Sequence, residues 1–178
     1  MTFSKYTIPA LLDYSCAKFE SRPSLNFVKT GDRTYGDLLK DVISISNMLL
    51  DLNVHQGDKV AILSANMPNW GITQFAIGKI GAVAVPILPG FSTSDITNIL
   101  IHSEAKVLFV SKLLYELVAD IHTDFLTTKI LSNSFRIIED EYPVKDIEKL
   151  DVPYDYRNLR PLPEITVLPA QYPWAWLY

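Results

Sequence analysis

The chain has 178 residues, 48% of them hydrophobic and 20% charged, which is the balance of a globular domain with a sizeable core rather than a disordered one. Sixteen basic against twenty acidic residues give a net charge of −4, which offers no basis for a nucleic-acid or anionic-membrane partner. The single cysteine, Cys16, excludes an internal disulfide; no apolar run is long enough to span a bilayer; and Pro9, Asp13 and Lys18 interrupt any signal-like stretch, so the expected location is the cytoplasm.

Residues 8–19 are predicted helical, because Leu11, Leu12, Ser15 and Phe19 fall near helical spacing and Pro9 suits a first turn. Arg22-Pro23 breaks that helix. Residues 25–28 read as a short strand and Lys29-Thr30-Gly31-Asp32 as a turn, with residues 33–35 returning as a hairpin partner. Thr34 stands where a helix cap belongs, and Asp37, three residues on, completes a capping box. The helix that follows, residues 35–52, repeats Leu38, Val42, Ile45, Leu49 and Leu52 in steps of four and three, a stripe made to face a sheet.

Residues 54–90 form the centre of the pattern. Gly57-Asp58 is turn chemistry, and Val60-Ala61-Ile62-Leu63 is a continuous apolar run of the kind found in strands covered on both faces. Pro68 opens a helix that is apolar nearly all round, with Ile72, Phe75, Ala76 and Ile80 on one side and Trp70 and Ile77 on another. Such a helix is either buried by its neighbours or pressed against a partner domain. Ala82-Val83-Ala84-Val85 is predicted as a second buried strand ended by Pro86 and Pro89, which makes a parallel βαβ unit. Ser92-Thr93-Ser94-Asp95 starts another helix, with Ile96, Ile99 and Leu100 as its buried stripe. Residues 106–110 are a third buried strand. Ser111 is expected to cap a further helix bearing Leu114, Leu117, Val118, Ile121 and Phe125, and short strands follow at Ile130-Leu131 and residues 135–138. Strands alternating with helices imply an α/β fold with an open, mainly parallel sheet flanked by helices. Six of the eleven prolines lie from Pro143 onward and no glycine follows Gly90, so residues 1–142 are expected as the α/β unit and 143–178 as a Pro-rich, aromatic-ended tail of loop or linker.

Gly57-Asp58, Val60-Ala61-Ile62, Asn66-Met67-Pro68-Asn69-Trp70 and Gly81-Ala82-Val83-Ala84-Val85-Pro86 together resemble the entry region of the adenylate-forming (AMP-binding) enzymes, the acyl-CoA synthetases and their relatives. Thr34-Tyr35-Gly36-Asp37-Leu38 upstream and residues 99–110 downstream agree with that family's pattern. The resemblance covers roughly residues 11–112, with details nearest the long-chain fatty acid type. It implies the N-terminal subdomain of the ligase fold, in incomplete form, and a parent reaction that activates a fatty acid or other carboxylate with ATP and Mg²⁺ and passes the acyl group to coenzyme A.

That chemistry needs a loop of Ser/Thr and Gly followed by Lys, whose backbone N–H groups cradle phosphate. The family's form of it, similar to Thr-Ser-Gly-Thr-Thr-Gly-x-Pro-Lys-Gly, is absent from this sequence, as are its later Tyr-Gly-x-Thr-Glu and Thr-Gly-Asp motifs and its catalytic lysine. No catalytic, cofactor-binding or metal-binding residue is therefore assigned. The 178 residues are expected to be an early part of such a ligase, silent in adenylation by themselves, whether as a shortened product or as one half of a split enzyme.

Other readings remain beside these. His55, His102 and His122 lack metal-ligand spacing and read as surface or structural. Cys16 has no placed base and reads as an inert thiol. Glu139-Asp140-Glu141 reads as a solvated turn rather than an acid/base or Mg²⁺ site. Asn66 and Trp70 either line the acyl or nucleotide side of the complete enzyme or serve the backbone and the packing. Gly78 and Gly81 come in the wrong order for a dinucleotide loop. A non-catalytic interaction module, docking a partner through the 70–80 helix and the aromatic tail, is the alternative function. An uncovered sheet is expected to self-associate through exposed apolar surface.

Overall fold

The computed structural model describes residues 7–27, 33–139, 142–151 and 160–163. Its strands, in chain order, are β1 (Lys59–Leu63), β2 (Val83–Ile87), β3 (Val107–Val110), β4 (Thr128–Leu131) and β5 (Arg136–Ile138), and they form one sheet in the order β2-β1-β3-β4-β5. The first three pairings are parallel, with Ala61 opposite both Val85 and Leu108, and the last is antiparallel, with Ile130 opposite Ile137. The period of two along each strand divides the apolar residues between two cores. Val60, Ile62, Val107, Phe109 and Ile130 enter one; Ala61, Leu63, Leu108, Val110 and Leu131 enter the other. Both faces of β1 and β3 are thus buried, which is why their sequences are continuously apolar instead of alternating.

Helices α1 (Ile8–Lys18), α2 (Tyr35–Asp51) and α3 (Pro68–Lys79) cover the first face, and α4 (Thr93–Ser103) with two 3-10 helices, Lys112–Leu117 and Val144–Leu150, covers the second. The predicted α2 stripe is present: Leu38, Val42, Ile45 and Leu49 are buried. So is its capping box, in which Thr34 Oγ1 accepts from the Asp37 N–H at 3.2 Å and Asp37 Oδ2 accepts from the Thr34 N–H at 3.1 Å. Ser92 and Asp95 repeat the arrangement at α4. These bonds satisfy helix-terminal N–H groups that have no partner inside the helix. Thr34→Ala is expected to lower stability by about 1 kcal/mol, read as a shift in the urea midpoint, with Thr34→Ser close to neutral.

Three expectations are corrected, and a fourth falls partly outside the described residues. β2 is not a buried strand: it forms the sheet's edge, Val83 is 47% exposed, and Pro86 lies within the strand opposite Ile62. An outer edge strand tolerates proline because an outward N–H has no ladder bond to lose. Of the hairpin expected at residues 25–35, Pro23 and Thr34 form an antiparallel bridge and Phe27 lies in a further bridge, while the turn falls on residues 28–32, outside the described chain. The Asn26 carboxamide adds to the backbone bonds there, donating to Arg33 O at 2.9 Å and accepting from the Arg33 N–H at 3.0 Å. The helix after Ser111 is only the 3-10 segment, and Ser111 does not cap it. Tyr115 of that segment is buried, as are Val118 and Ile121 in the chain that follows it, while Leu113 is 78% exposed. Finally, the chain after Tyr142 is not loop throughout: Ile147 of the second 3-10 helix enters the second core. The aromatic end, residues 171–178, lies outside the described residues.

Candidate functional site at the carboxyl end of the sheet

The connections dictate where a site belongs. β1 leads through α3 to β2 on one side, whereas the chain returns through α4 to β3 on the other side of β1, so the winding reverses between β1 and β3. In open α/β sheets ligands sit beyond the carboxyl ends of the strands at such a reversal. Here each of the three central strands is followed by a serine: Ser64 after β1, Ser111 after β3 and Ser132 after β4, all buried. This triple recurrence is legible as Leu63-Ser64, Val110-Ser111 and Leu131-Ser132, and the reading by elements alone passed over it.

The polar groups at this end are directed mainly at the protein itself. Asn69, in the first turn of α3, donates through Nδ2 to Ser132 O at 2.8 Å and Asn133 O at 3.0 Å. Asn133 Oδ1 accepts from the Lys112 N–H at 2.9 Å, and Ser111 Oγ accepts from the Ala65 N–H at 3.4 Å. Thr73 Oγ1 returns to Asn69 O at 2.8 Å, and Ser134 Oγ donates to Leu150 O at 2.7 Å. The loops after β1, β3 and β4 are thereby laced into one cap. Ser132 Oγ, on a residue only 1% exposed, has no hydrogen-bond partner among the described residues. Lys112 spans to the second 3-10 helix, 2.6 Å from Asp151 Oδ2 and 2.9 Å from Glu148 Oε2, and the Asp151 bond, followed by that of Glu148, pushes its pKa up to about 12.

This donor set does not fit a triphosphate or its magnesium. Phosphate binding at a strand–helix turn needs several converging N–H groups, usually from glycines that let the backbone approach closely. The β1–α3 turn, Ser64-Ala65-Asn66-Met67, has no glycine. The nearby carboxylates Glu148 and Asp151 are engaged by Lys112, and no group of three or more His, Cys, Asp or Glu side chains able to hold a metal occurs among the described residues. Two concavities, of about 250 and 370 Å³, adjoin Tyr142; neither is lined by Ser64, Asn66, Ser111 or Lys112.

The residues singled out by sequence do not converge. Asn66 is exposed, whereas Trp70 packs against the first-face core. His55, hydrogen-bonded to Asn53 Oδ1 at 2.8 Å, and also His102 and His122 are all exposed and separate. Cys16 is 2% exposed; burial, then the charge of Asp13, raises its thiol pKa against the opposing effect of Lys79. Glu139 is exposed, and Asp140 and Glu141 lie outside the described residues. Gly78 lies within α3, and Gly81, at φ 72°, precedes β2. At the opposite end of the sheet Asp58 joins two strands, bonded to Lys106 Nζ at 2.8 Å and the His55 N–H at 2.7 Å. Burial alone would raise its pKa, and those two bonds outweigh it, so the net shift is downward. No helix among the described residues is long and apolar enough to cross a membrane.

Comparison with known proteins bears on this geometry. The family model described as AMP-binding enzyme matches residues 12–163. The chain is 35% identical over 78 residues to acetyl-coenzyme A synthetase 1 of Debaryomyces hansenii, covering 44% of this chain and 12% of that protein. It is 28% identical over 116 residues to the long-chain-fatty-acid–CoA ligase heimdall of Drosophila melanogaster, covering 61% and 17%. Among solved structures, a fatty acyl CoA synthetase of Mycobacterium tuberculosis superposes with a TM-score of 0.64 at 21% identity, over 70% of this chain and 26% of that one. The N-terminal subdomain of Klebsiella oxytoca NpsA, in complex with 3-hydroxybenzoyl-AMSN, gives 0.58 at 25% identity over 70% and 30%. The chain therefore spans less than a third of each of these proteins.

Proposed function

Since the chain belongs to the AMP-binding enzyme family, we propose that it supplies the amino-terminal sheet scaffold of an ATP-dependent carboxylic acid–CoA ligase, with fatty acids as the substrate class, and that these 178 residues do not form an adenylate alone. The supporting observation is the carboxyl end of the sheet, where the Asn69, Asn133 and Ser111 side chains are spent on the protein's own backbone. ATP, Mg²⁺ and coenzyme A belong to the complete ligase, and the described residues offer none of them a built site. Long-chain-fatty-acid–CoA ligases match over 116 and over 78 residues and acetyl-coenzyme A synthetase 1 over 78, and the longer match supports a fatty acid. The alternative of a docking module finds less support, because α3 is covered by α1 and α2, with Ile72, Ala76 and Ile77 buried. Exposed Val83, Leu88, Phe91 and Ile101, on β2, α4 and the turn between them, are consistent with self-association when nothing covers them. The test is ATP–pyrophosphate exchange by the purified chain with a panel of fatty acids. Isotope incorporation is expected to equal that of a protein-free control; sustained, fatty-acid-dependent exchange overturns the proposal.

A further inference from the structure

Helix α2 carries a second stripe besides its apolar one. Lys40, Ser44, Asn47 and Asp51 follow at steps of four, three and four, hence along one face. Within it Asn47 is 0% exposed, although asparagine is ordinarily a surface residue. A carboxamide without access to water must find partners at both ends. Asn47 finds them in one residue 113 positions away: its Nδ2 donates to Arg160 O at 2.9 Å, and its Oδ1 accepts from Arg160 Nε at 3.2 Å. The guanidinium then donates through Nη2 to Asn47 O at 3.4 Å and to Asp51 Oδ1 at 2.6 Å. Main chain and side chain of Arg160 are thus both read by one turn of α2. Arg160 precedes Pro161, and the residue before a proline is disfavoured in the α region.

The place of this contact gives it a role. At Leu150 and Asp151 the chain lies on the α4 face of the sheet, bound through Ser134 and Lys112. At Arg160 it lies on the α2 face. We propose that Asn47 and Arg160 form a clasp that fastens residues 160–163 to α2, on the face of the sheet opposite the one that holds Leu150 and Asp151. The Arg160–Asp51 ion pair, with side chains 47% and 52% exposed, is too solvated to do this alone. The buried carboxamide, with its charge-assisted bond, is the selective element.

Trypsin cleavage of the intact chain after Arg157 provides the test, because the protease must engage residues on both sides of the bond and Arg160, three residues on, has to leave α2 for that, so the rate follows the opening of the clasp. Arg160→Ala, a change at an exposed position, is expected to accelerate that cleavage about tenfold, Asn47→Leu similarly, and Asp51→Ala only about twofold. The double variant Asn47→Leu/Arg160→Ala is expected to match the single Arg160→Ala variant, since one contact cannot be lost twice. Unchanged cleavage in Arg160→Ala overturns the clasp, as do effects of the two changes that multiply. If Asn47→Leu fails to fold, Asn47→Ala takes its place in the same cycle.

Discussion

Phe109→Ala is expected to destabilise the chain by about 3–5 kcal/mol, the range for removing a fully buried aromatic ring from a core that cannot collapse around the gap. Phe109 lies in β3, the middle strand of the sheet, hydrogen-bonded to β1 on one side and β4 on the other. Its ring meets that of Phe135 edge to face, centroids 6.2 Å apart and planes at 79°, a favourable arrangement of aromatic quadrupoles. Phe135 is held at φ 60°, in the turn that reverses the chain from β4 into β5. Loss of Phe109 therefore removes transfer energy and also loosens the packing that holds a left-handed non-glycine residue in place. Against a total stability of about 5–15 kcal/mol for a domain, the variant is expected to be largely unfolded in low urea. Equilibrium urea unfolding followed by far-ultraviolet circular dichroism measures it. Phe109→Leu should retain more than half of the lost stability. A loss below about 1 kcal/mol for the alanine variant would show that the two rings do not pack as described.

Asn69→Ala is expected to cost about 2–3 kcal/mol, more than an ordinary side-chain hydrogen bond, because the loss falls on backbone carbonyls that are partly shielded from water. The Asn69 carboxamide is shared by the carbonyls of Ser132 and Asn133. Both belong to the turn whose next residues are Ser134 and Phe135, and Asn133 in turn accepts the Lys112 N–H. One truncation thus loosens the joint between α3, the β3 exit and the β4–β5 turn. Hydrogen exchange at the Lys112 and Phe135 amides should quicken in step with the fall in the urea midpoint. Asn69→Asp, which keeps the shape but replaces the donating amide with an acceptor facing two carbonyls, should be at least as damaging. If Asn69→Ala were neutral while exchange at those amides stayed slow, the cap would be held by packing rather than by this carboxamide.

Both predictions rest on tertiary pairings, and the sequence announced them to different degrees. Phe109 falls within residues 106–110, which their continuous apolar run marks as a buried strand. Asn69 carries no such mark: its four-residue surroundings read equally well as a solvated helix start, and the groups it binds lie 63 and 64 positions away. The serines after β1, β3 and β4 fall between these cases. Their recurrence was visible, yet its meaning depended on the parallel sheet bringing three strand ends together.

Local chemistry by itself determined the alternation of strands and helices, the two capping boxes at Thr34 and Ser92, and the apolar stripe of α2, because each depends on residues at most a few turns apart. It likewise determined that no glycine-rich phosphate loop lies among these 178 residues, a matter of composition after Gly90. Only the tertiary structure decided that β2 is an edge, that the chain after Ser111 coils as a 3-10 helix, and that Asn47 meets Arg160. Strand order and contacts across more than a hundred residues depend on which surfaces remain to be covered once the local elements exist. An apolar run of four residues has the same pattern at the edge of a sheet as at its centre, so its place is settled by the helices and strands that reach it first.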